Sequence, residues 1–495
     1  MKKIGLLLEK EYYEDYILTF IEDILKNDIE VVFIFDRYQK SFYDLAMKVE
    51  AVFYKESFTD IKSRFSCRFL YLDEVDEEFD LFLSVDFSYQ KVKEHSLLKL
   101  SKDGILYMDF SKKAAFWEIY NYHDSLGFAL IYENKSFSTS LLEGKIATFR
   151  SVTQTKNRLF NESLFYLKKF FLSYLEGKEF EKREFYISDK IEKTPSLMQY
   201  ILYSIKLLKL YFLLFFKRIV LKKHSRFFVG FEYIEKNSIK LSKAKVIKTP
   251  PFHFYADPFV WSRDNKDICF LEDFDYKSGV ACISAVELFK DSSYKLLGEV
   301  LKEPFHLSFP YLFEYKGELF MVPESSGSKS IRVYRCVDFP LKWEFEKELI
   351  KDINTADTMI FEKDGKWWLL TNMATKGNFD QSAQLFVFYS DDPLSSNWTP
   401  HPKNPVVFDS SCGRNGGIYF EKDRIFRVRQ RQKYSTYGAE FSIAKITKLD
   451  EQEYEEIEIK AIKPDFFQGI SATHHLHKNK NIAVFDFMRY ERIDI

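Results

Sequence analysis

The sequence predicts an open α/β sheet followed by an all-β propeller of five blades. Three observations carry this expectation. Residues 1 to about 150 alternate short apolar runs with amphipathic stretches; from about residue 227 the pattern turns to short strands and polar turns; and that second half repeats itself five times. At 495 residues the chain is too long for one ordinary core, so two domains and a connector are expected, with boundaries at 1–190, 191–226 and 227–495.

In the first segment the apolar run Ile4–Leu8 precedes a helical pattern to Leu25, then Val31–Phe35 and a further helix. The first turn, Leu8-Glu9-Lys10-Glu11, holds no glycine. Backbone N–H groups therefore have no glycine-rich loop with which to cradle a pyrophosphate, and no dinucleotide site is expected.

Asp80 to Leu130 reads DLFLSVDFSYQKV…GILYMDFSKKAAFWEIYNYHDSLGFAL. This segment resembles the N-terminal domain of formyltransferases that use formyl-tetrahydrofolate. The resemblance implies an Asn-x-His pair at a strand end, a loop after it and a later Asp. Here the pair falls on Tyr107 and Asp109, the loop shortens to Ser111-Lys112-Lys113, and the later segment reads Ser138-Thr139-Ser140. A phenol and a carboxylate do not supply the amide donor and imidazole that formyl transfer requires. A scaffold or sugar-nucleotide-binding role is expected for this domain.

Residues 195–224 form the most hydrophobic stretch, but Lys206, Lys209, Lys217 and Arg218 interrupt it. Its longest clean run, Leu210 to Phe216, falls short of the roughly 20 apolar residues of a spanning helix. Large aromatics mixed with basic and no acidic residues suit a helix lying in an anionic headgroup layer. The alternative is a bridging helix with solvated lysines.

Five segments share one plan, a short apolar strand, a charged turn and a second apolar strand. They begin at Asp257, Phe309, Asp357, Gly416 and Thr473 and recur at roughly 50 to 60 residues, the period of propeller blades. Each hairpin starts and finishes at the same end, so its polar end residues gather near the axis. These are Asp257, Asp273, His306, Glu324, Asp357, Asn372, Arg414, Asn415, Arg427, Gln430 and His474. Convergent polar groups at a concave end mark a site. In His474-His475-x-His477, strand alternation places His475 and His477 on one face and His474 on the other, so no metal site is expected. Trp367-Trp368 reads as blade packing.

The runs ADPFV, HLSFPYLF…GELFMVPES and RVRQ…YG resemble the propeller of plant glucosamine inositolphosphorylceramide transferases. More distantly, the segment is similar to five-bladed glycoside hydrolases of the arabinanase and invertase type. That likeness implies carboxylates opening the first and third blades, which match Asp257 and Asp357. The hydrolases' acid Glu of a later blade is replaced by Arg414-Asn415-Gly416, leaving Glu324 as the substitute. Asp257, Glu324 and Asp357 are therefore the expected catalytic residues, and the other eight are expected to bind substrate. Two carboxylates, one protonated and one ionised, are the minimum for glycoside chemistry. Arg414 and Arg427 suit an anionic sugar.

A net charge of -1 argues against a nucleic-acid partner. The five cysteines, widely spaced and without a CxxC pair, read as free thiols in a reducing compartment. The four-residue apolar run near the start is too short for a secretory segment. The expectation is a cytoplasmic protein, peripheral on the inner membrane face, that needs no cofactor and takes a sugar nucleotide or anionic glycan. It would transfer or cleave glycosyl groups in surface-polysaccharide or glycolipid assembly. A non-catalytic glycan-binding scaffold and an amino-sugar N-formyltransferase are the alternatives.

Overall fold

The structure, a computed structural model, describes residues 1–37, 42–86, 96–110, 115–181, 194–234, 239–374 and 381–493. The chain forms two compact units that divide between Leu210 and Tyr211.

The first unit is built on a seven-stranded sheet. In spatial order its strands are Arg68–Tyr71, Ile29–Phe35, Lys2–Leu8, Phe79–Ser84, Ser101–Asp109, Ser125–Glu133 and Ser138–Ala147. Ser125–Glu133 runs against both neighbours, and the others are parallel. The central strands carry apolar residues on both faces, with Ile4, Leu6, Leu7, Val32, Phe33, Ile34 and Leu81 to Leu83 buried. This is why they read as unbroken apolar runs, since a parallel sheet is covered on both sides. The helix Val152–Leu175 is capped by the Ser151 hydroxyl, which accepts from the Gln154 N–H. Tyr107 is wholly buried, its hydroxyl 3.3 Å from Glu133 Oε2, and Asp109 ends that strand. The Thr139 hydroxyl donates to the Glu181 carbonyl. Ser111-Lys112-Lys113 lies outside the described residues.

The connector contains the helix Leu197–Phe215, continued by a π-helical turn over Phe216–Val220. By length and composition it is apolar enough to cross a membrane, yet little of it is buried in the protein.

The second unit is a five-bladed propeller. Blade 1 runs through His253–Arg263, Lys266–Asp275, Val280–Leu288 and Tyr294–Leu301. Blade 2 runs from Ser308–Tyr315 to Lys342–Lys351, blade 3 begins with Thr355–Lys363 and Lys366–Met373, and blade 4 runs from Asn415–Glu421 to Tyr454–Ile462. Blade 5 joins the two ends of the unit. Leu476–Lys478 pairs with Ile482–Arg492, which in turn pairs with Lys223–Tyr233, and that strand carries Lys245–Val246 at its far edge. The inner strands touch in sequence around the ring, and the fifth meets the first. Closure covers the sheet faces that the end blades of an open array would expose, while each blade keeps an outer edge strand. The propeller therefore takes in Lys223, four residues before the expected boundary. Trp367 and Trp368 pack into the inter-blade core with Phe313, Phe361 and Leu385.

Candidate active site

The same irregularity interrupts the inner strand of every blade. Two residues face one inside the gaps Ala256/Phe259, Ser308/Tyr311, Ala356/Met359 and Asn415/Ile418, and three face two between Ala472 and Leu476. One extra residue forms a bulge, which re-aims side chains that a regular strand would send into the blade. In three blades the bulged residue is non-glycine with left-handed backbone: Asp257 (φ 48°), Phe309 (φ 47°) and Asp357 (φ 51°). Such a conformation costs roughly 1–3 kcal/mol and persists where the surroundings enforce it. Blade 4 uses Gly416-Gly417 instead. A Cβ on either would stand 2.2–2.3 Å from a carbonyl oxygen of blade 5, His474 O or Leu476 O. Close approach of blades 4 and 5 thus excludes a carboxylate at this place.

The three expected catalytic carboxylates converge. Asp357 accepts from Arg414 Nε at 2.6 Å and from Gln430 Nε2 at 3.0 Å. The same guanidinium reaches Glu324 at 3.5 Å through Nη2. Burial and the nearby Asp357 charge push the Glu324 carboxyl up to about 8, against the opposing pull of Arg414 and His306. Burial also drives Asp257 well above the usual carboxylate range, reinforced by the charges of Glu272, Asp357, Asp486 and Glu324. Asp257 Oδ1 is buried without a hydrogen bond, 3.6 Å from His475 Nδ1 and 3.9 Å from His474 Nδ1.

His474 and His475 both face Asp257 because the bulge breaks the alternation expected from a regular strand. Beneath them, Asp486 accepts the N–H groups of His474 (3.0 Å), His475 (3.1 Å) and Asp257 (3.3 Å). Its Oδ2 lies 2.6 Å from His474 Nδ1. Burial acts to raise the Asp486 carboxyl, but His474, His475 and the N–H groups outweigh it and hold the group below its ordinary value. Asp257, His474 and Asp486 offer ligand atoms within 4.8 Å of one another.

Other expected binding residues have different work. Arg427 was expected near the axis, suited to an anionic sugar, but it is wholly buried. It is forked onto Glu456 (2.6 and 2.8 Å) and donates to the carbonyls of Cys412 and Gly413 and to Asn415 Oδ1. An inward-facing arginine on a strand needs that many acceptors to be tolerated. Asp273 is turned to His253 (2.6 Å) and Ser284 (2.8 Å) rather than to the cluster. Asn372 and Asn415 are buried and tie blades 3 and 4 together. The Asn372 amide donates to the Gln384 and Gly413 carbonyls and accepts the Asn415 N–H, while the Asn415 amide donates to the Asp357 carbonyl. Gln430 positions Asp357 and is itself buried. His306 stays partly exposed 3.2 Å from Glu272, whose carboxylate raises it despite burial.

Glu272, Asp486 and Tyr437 were missed. Glu272 pairs with Ala256 as Glu324 pairs with Ser308, so matching the ends of hairpins 1 and 2 residue by residue selects it over Asp273. Asp486 was visible as a carboxylate inside the apolar run Ala483 to Phe487. Tyr437 is half-exposed, with the Arg414 guanidinium 5.2 Å over its ring and His474 edge-on at 5.6 Å.

The family model described as "Glucosamine inositolphosphorylceramide transferase 1, N-terminal" matches residues 237–486. The chain belongs to this family. The family segment spans the site from Asp257 to Asp486. A relative of that name from Oryza sativa subsp. japonica is 34% identical over 248 residues, 49% of this chain and 31% of its own. One from Arabidopsis thaliana is 35% identical over 216 residues, 42% of this chain and 28% of its own. The chain thus spans about a third of the length of these relatives. Among solved structures, a family 117 glycoside hydrolase of Zobellia galactanivorans has 14% identity and a TM-score of 0.36, covering 52% of this chain and 90% of its own. A Bombyx mori GH32 β-fructofuranosidase has 11% identity and a TM-score of 0.35, covering 55% and 59%. The propeller itself rests on strand topology.

Proposed function

We propose that the propeller axis carries out glycosyl transfer or cleavage in surface-polysaccharide or glycolipid assembly, at the inner face of a membrane, on a sugar nucleotide or anionic glycan. The observation that carries this reading is the meeting of Asp257, Glu324 and Asp357 around Arg414. Glu324 keeps its proton at neutral pH and is the acid that can protonate a leaving oxygen. Asp257, in its ionised form, is placed to take a proton from an acceptor hydroxyl or to face the anomeric carbon, and its raised proton affinity moves that role toward higher pH. Asp357, clamped by Arg414, orients the acid, and Tyr437 offers a ring face at the same place. The name of the relatives suggests an amino-sugar donor and an inositol-phosphate lipid acceptor.

The test is to incubate the full chain with a panel of nucleotide sugars and a phosphoinositol lipid, measuring transfer and hydrolysis. Glu324→Gln and Asp257→Asn should each lower turnover about a hundredfold or more. If turnover is absent in the unaltered chain while calorimetry detects glycan binding, the binding-protein reading replaces this one. One observation favours that second reading: Arg414 already neutralises Asp357 within the protein.

A further inference from the structure

The first unit bears a large exposed apolar surface formed by two neighbouring helices. One is Phe42–Phe53, whose Phe42, Leu45, Val49, Val52 and Phe53 side chains face solvent, with Phe53 82% exposed. The other is the start of the connector helix, where Leu197, Met198, Ile201, Leu202, Ile205 and Leu208 are exposed, Leu208 at 70%. Three contacts set the helices side by side, running in the same direction. The Tyr200 ring meets Phe42 edge-on at 5.9 Å, the Tyr200 hydroxyl donates to the Ala46 carbonyl, and the Tyr203 hydroxyl donates to Glu50 at 2.6 Å. The exposed residues of each helix flank this seam.

We infer that this two-helix surface is a membrane-docking platform that inserts its apolar side chains into one leaflet of an anionic bilayer. Soluble proteins rarely leave so many contiguous large apolar side chains in water. The charge pattern selects the occupant. Between Leu197 and Lys223 the chain carries no acidic residue, and besides Lys206, which is turned to the Tyr120 carbonyl, it carries Lys209, Lys217, Arg218, Lys222 and Lys223. A two-fold contact with a second copy would set these like charges against one another, whereas anionic headgroups neutralise them.

The platform lies on the membrane rather than across it. Tyr203 is buried, and its hydroxyl also accepts from the Val152 N–H, while Lys206 Nζ donates to the Tyr120 carbonyl. One side of the helix is thereby fixed to the folded unit, and only the other is free for lipid, as in a monotopic anchor. The inference stands independently of the chemistry at the propeller axis.

The test is co-sedimentation of the full chain with vesicles of phosphatidylcholine alone or with about 30% phosphatidylserine. The anionic vesicles should bind it, and raised salt should weaken binding. The triple variant Leu45→Glu, Val49→Glu, Val52→Glu alters only exposed side chains, so its melting temperature should hold while vesicle binding falls about tenfold or more. In parallel, the added indole fluorescence of the Phe53→Trp variant should be quenched by brominated lipids. Unchanged binding of the triple variant overturns the platform, as does added indole fluorescence that stays unquenched when the Phe53→Trp variant is bound to vesicles. So does a wild-type dimer that the triple variant splits, if the wild type ignores anionic vesicles.

Discussion

Arg414 Nε stands 2.6 Å from Asp357 Oδ2, so an arginine just before blade 4 supplies the counter-charge for the carboxylate at the bulge of blade 3. The remaining reach of that guanidinium toward Glu324 binds three blades into one electrostatic unit. Proton affinities in such a unit belong to the group as a whole, so a change at one member is felt by the others.

Glu324 makes stability fall with rising pH. Its folded carboxyl titrates near 8, above its ordinary 4.5, so between these values the folded state binds more protons than the unfolded one. The contribution is therefore lost as pH rises from about 4.5 through 8. Glu324→Gln stays neutral and should gain about 1–4 kcal/mol relative to the unaltered chain at pH 9 compared with pH 5. Thermal unfolding across that range measures it, and parallel curves for the two proteins would contradict the assignment.

Asp257 combines left-handed backbone with a buried oxygen lacking a hydrogen bond. Asp257→Gly removes both costs and should raise stability by about 1–2 kcal/mol while abolishing turnover. Denaturant titration of this variant tests the trade; a loss of stability would show that the carboxylate is holding the ring together.

Arg427 and Arg414 should behave differently. Arg427→Met leaves the buried Glu456 carboxylate with only Arg429 and the Tyr454 hydroxyl and should cost about 3 kcal/mol of folding stability. Arg414→Gln should abolish binding of an anionic sugar, with the Asp357 charge then repelling it. Calorimetry beside thermal melts separates them, and retained anion binding in Arg414→Gln would remove the recognition role.

Asp486→Asn retains shape but replaces one of two carboxylate oxygens with a donor facing N–H groups. A loss of about 2–4 kcal/mol is expected, with His474 released from its fixed orientation. Urea midpoints measure the first, and the His474 proton resonances of the folded variant report the second.

Much of the molecule was legible in the chain itself. The period of the hairpins announced the blades, and the polar ends of hairpins 1, 2 and 3 announced Asp257, Glu324 and Asp357, because strand ends must lie at one end of each blade. The apolar runs of the first segment, alternating with amphipathic stretches, announced an open α/β sheet. Identity and spacing sufficed there, since these features follow from local alternation and from what each residue can bury.

Tertiary structure decided the rest, because the deciding contacts join residues far apart in sequence. Asp257 and Asp486 meet across 229 positions when Lys223–Tyr233 closes the ring beside Ile482–Arg492. No local pattern encodes that meeting. A single-residue bulge turned His474 and His475 toward the same carboxylate, which alternation alone forbids. The strand facing of Arg427 sent it inward to Glu456, while Arg414, outside the strand, was free to reach the axis. The sequence thus set which chemical groups arrive at the ends of the blades, and packing between blades set which of them meet.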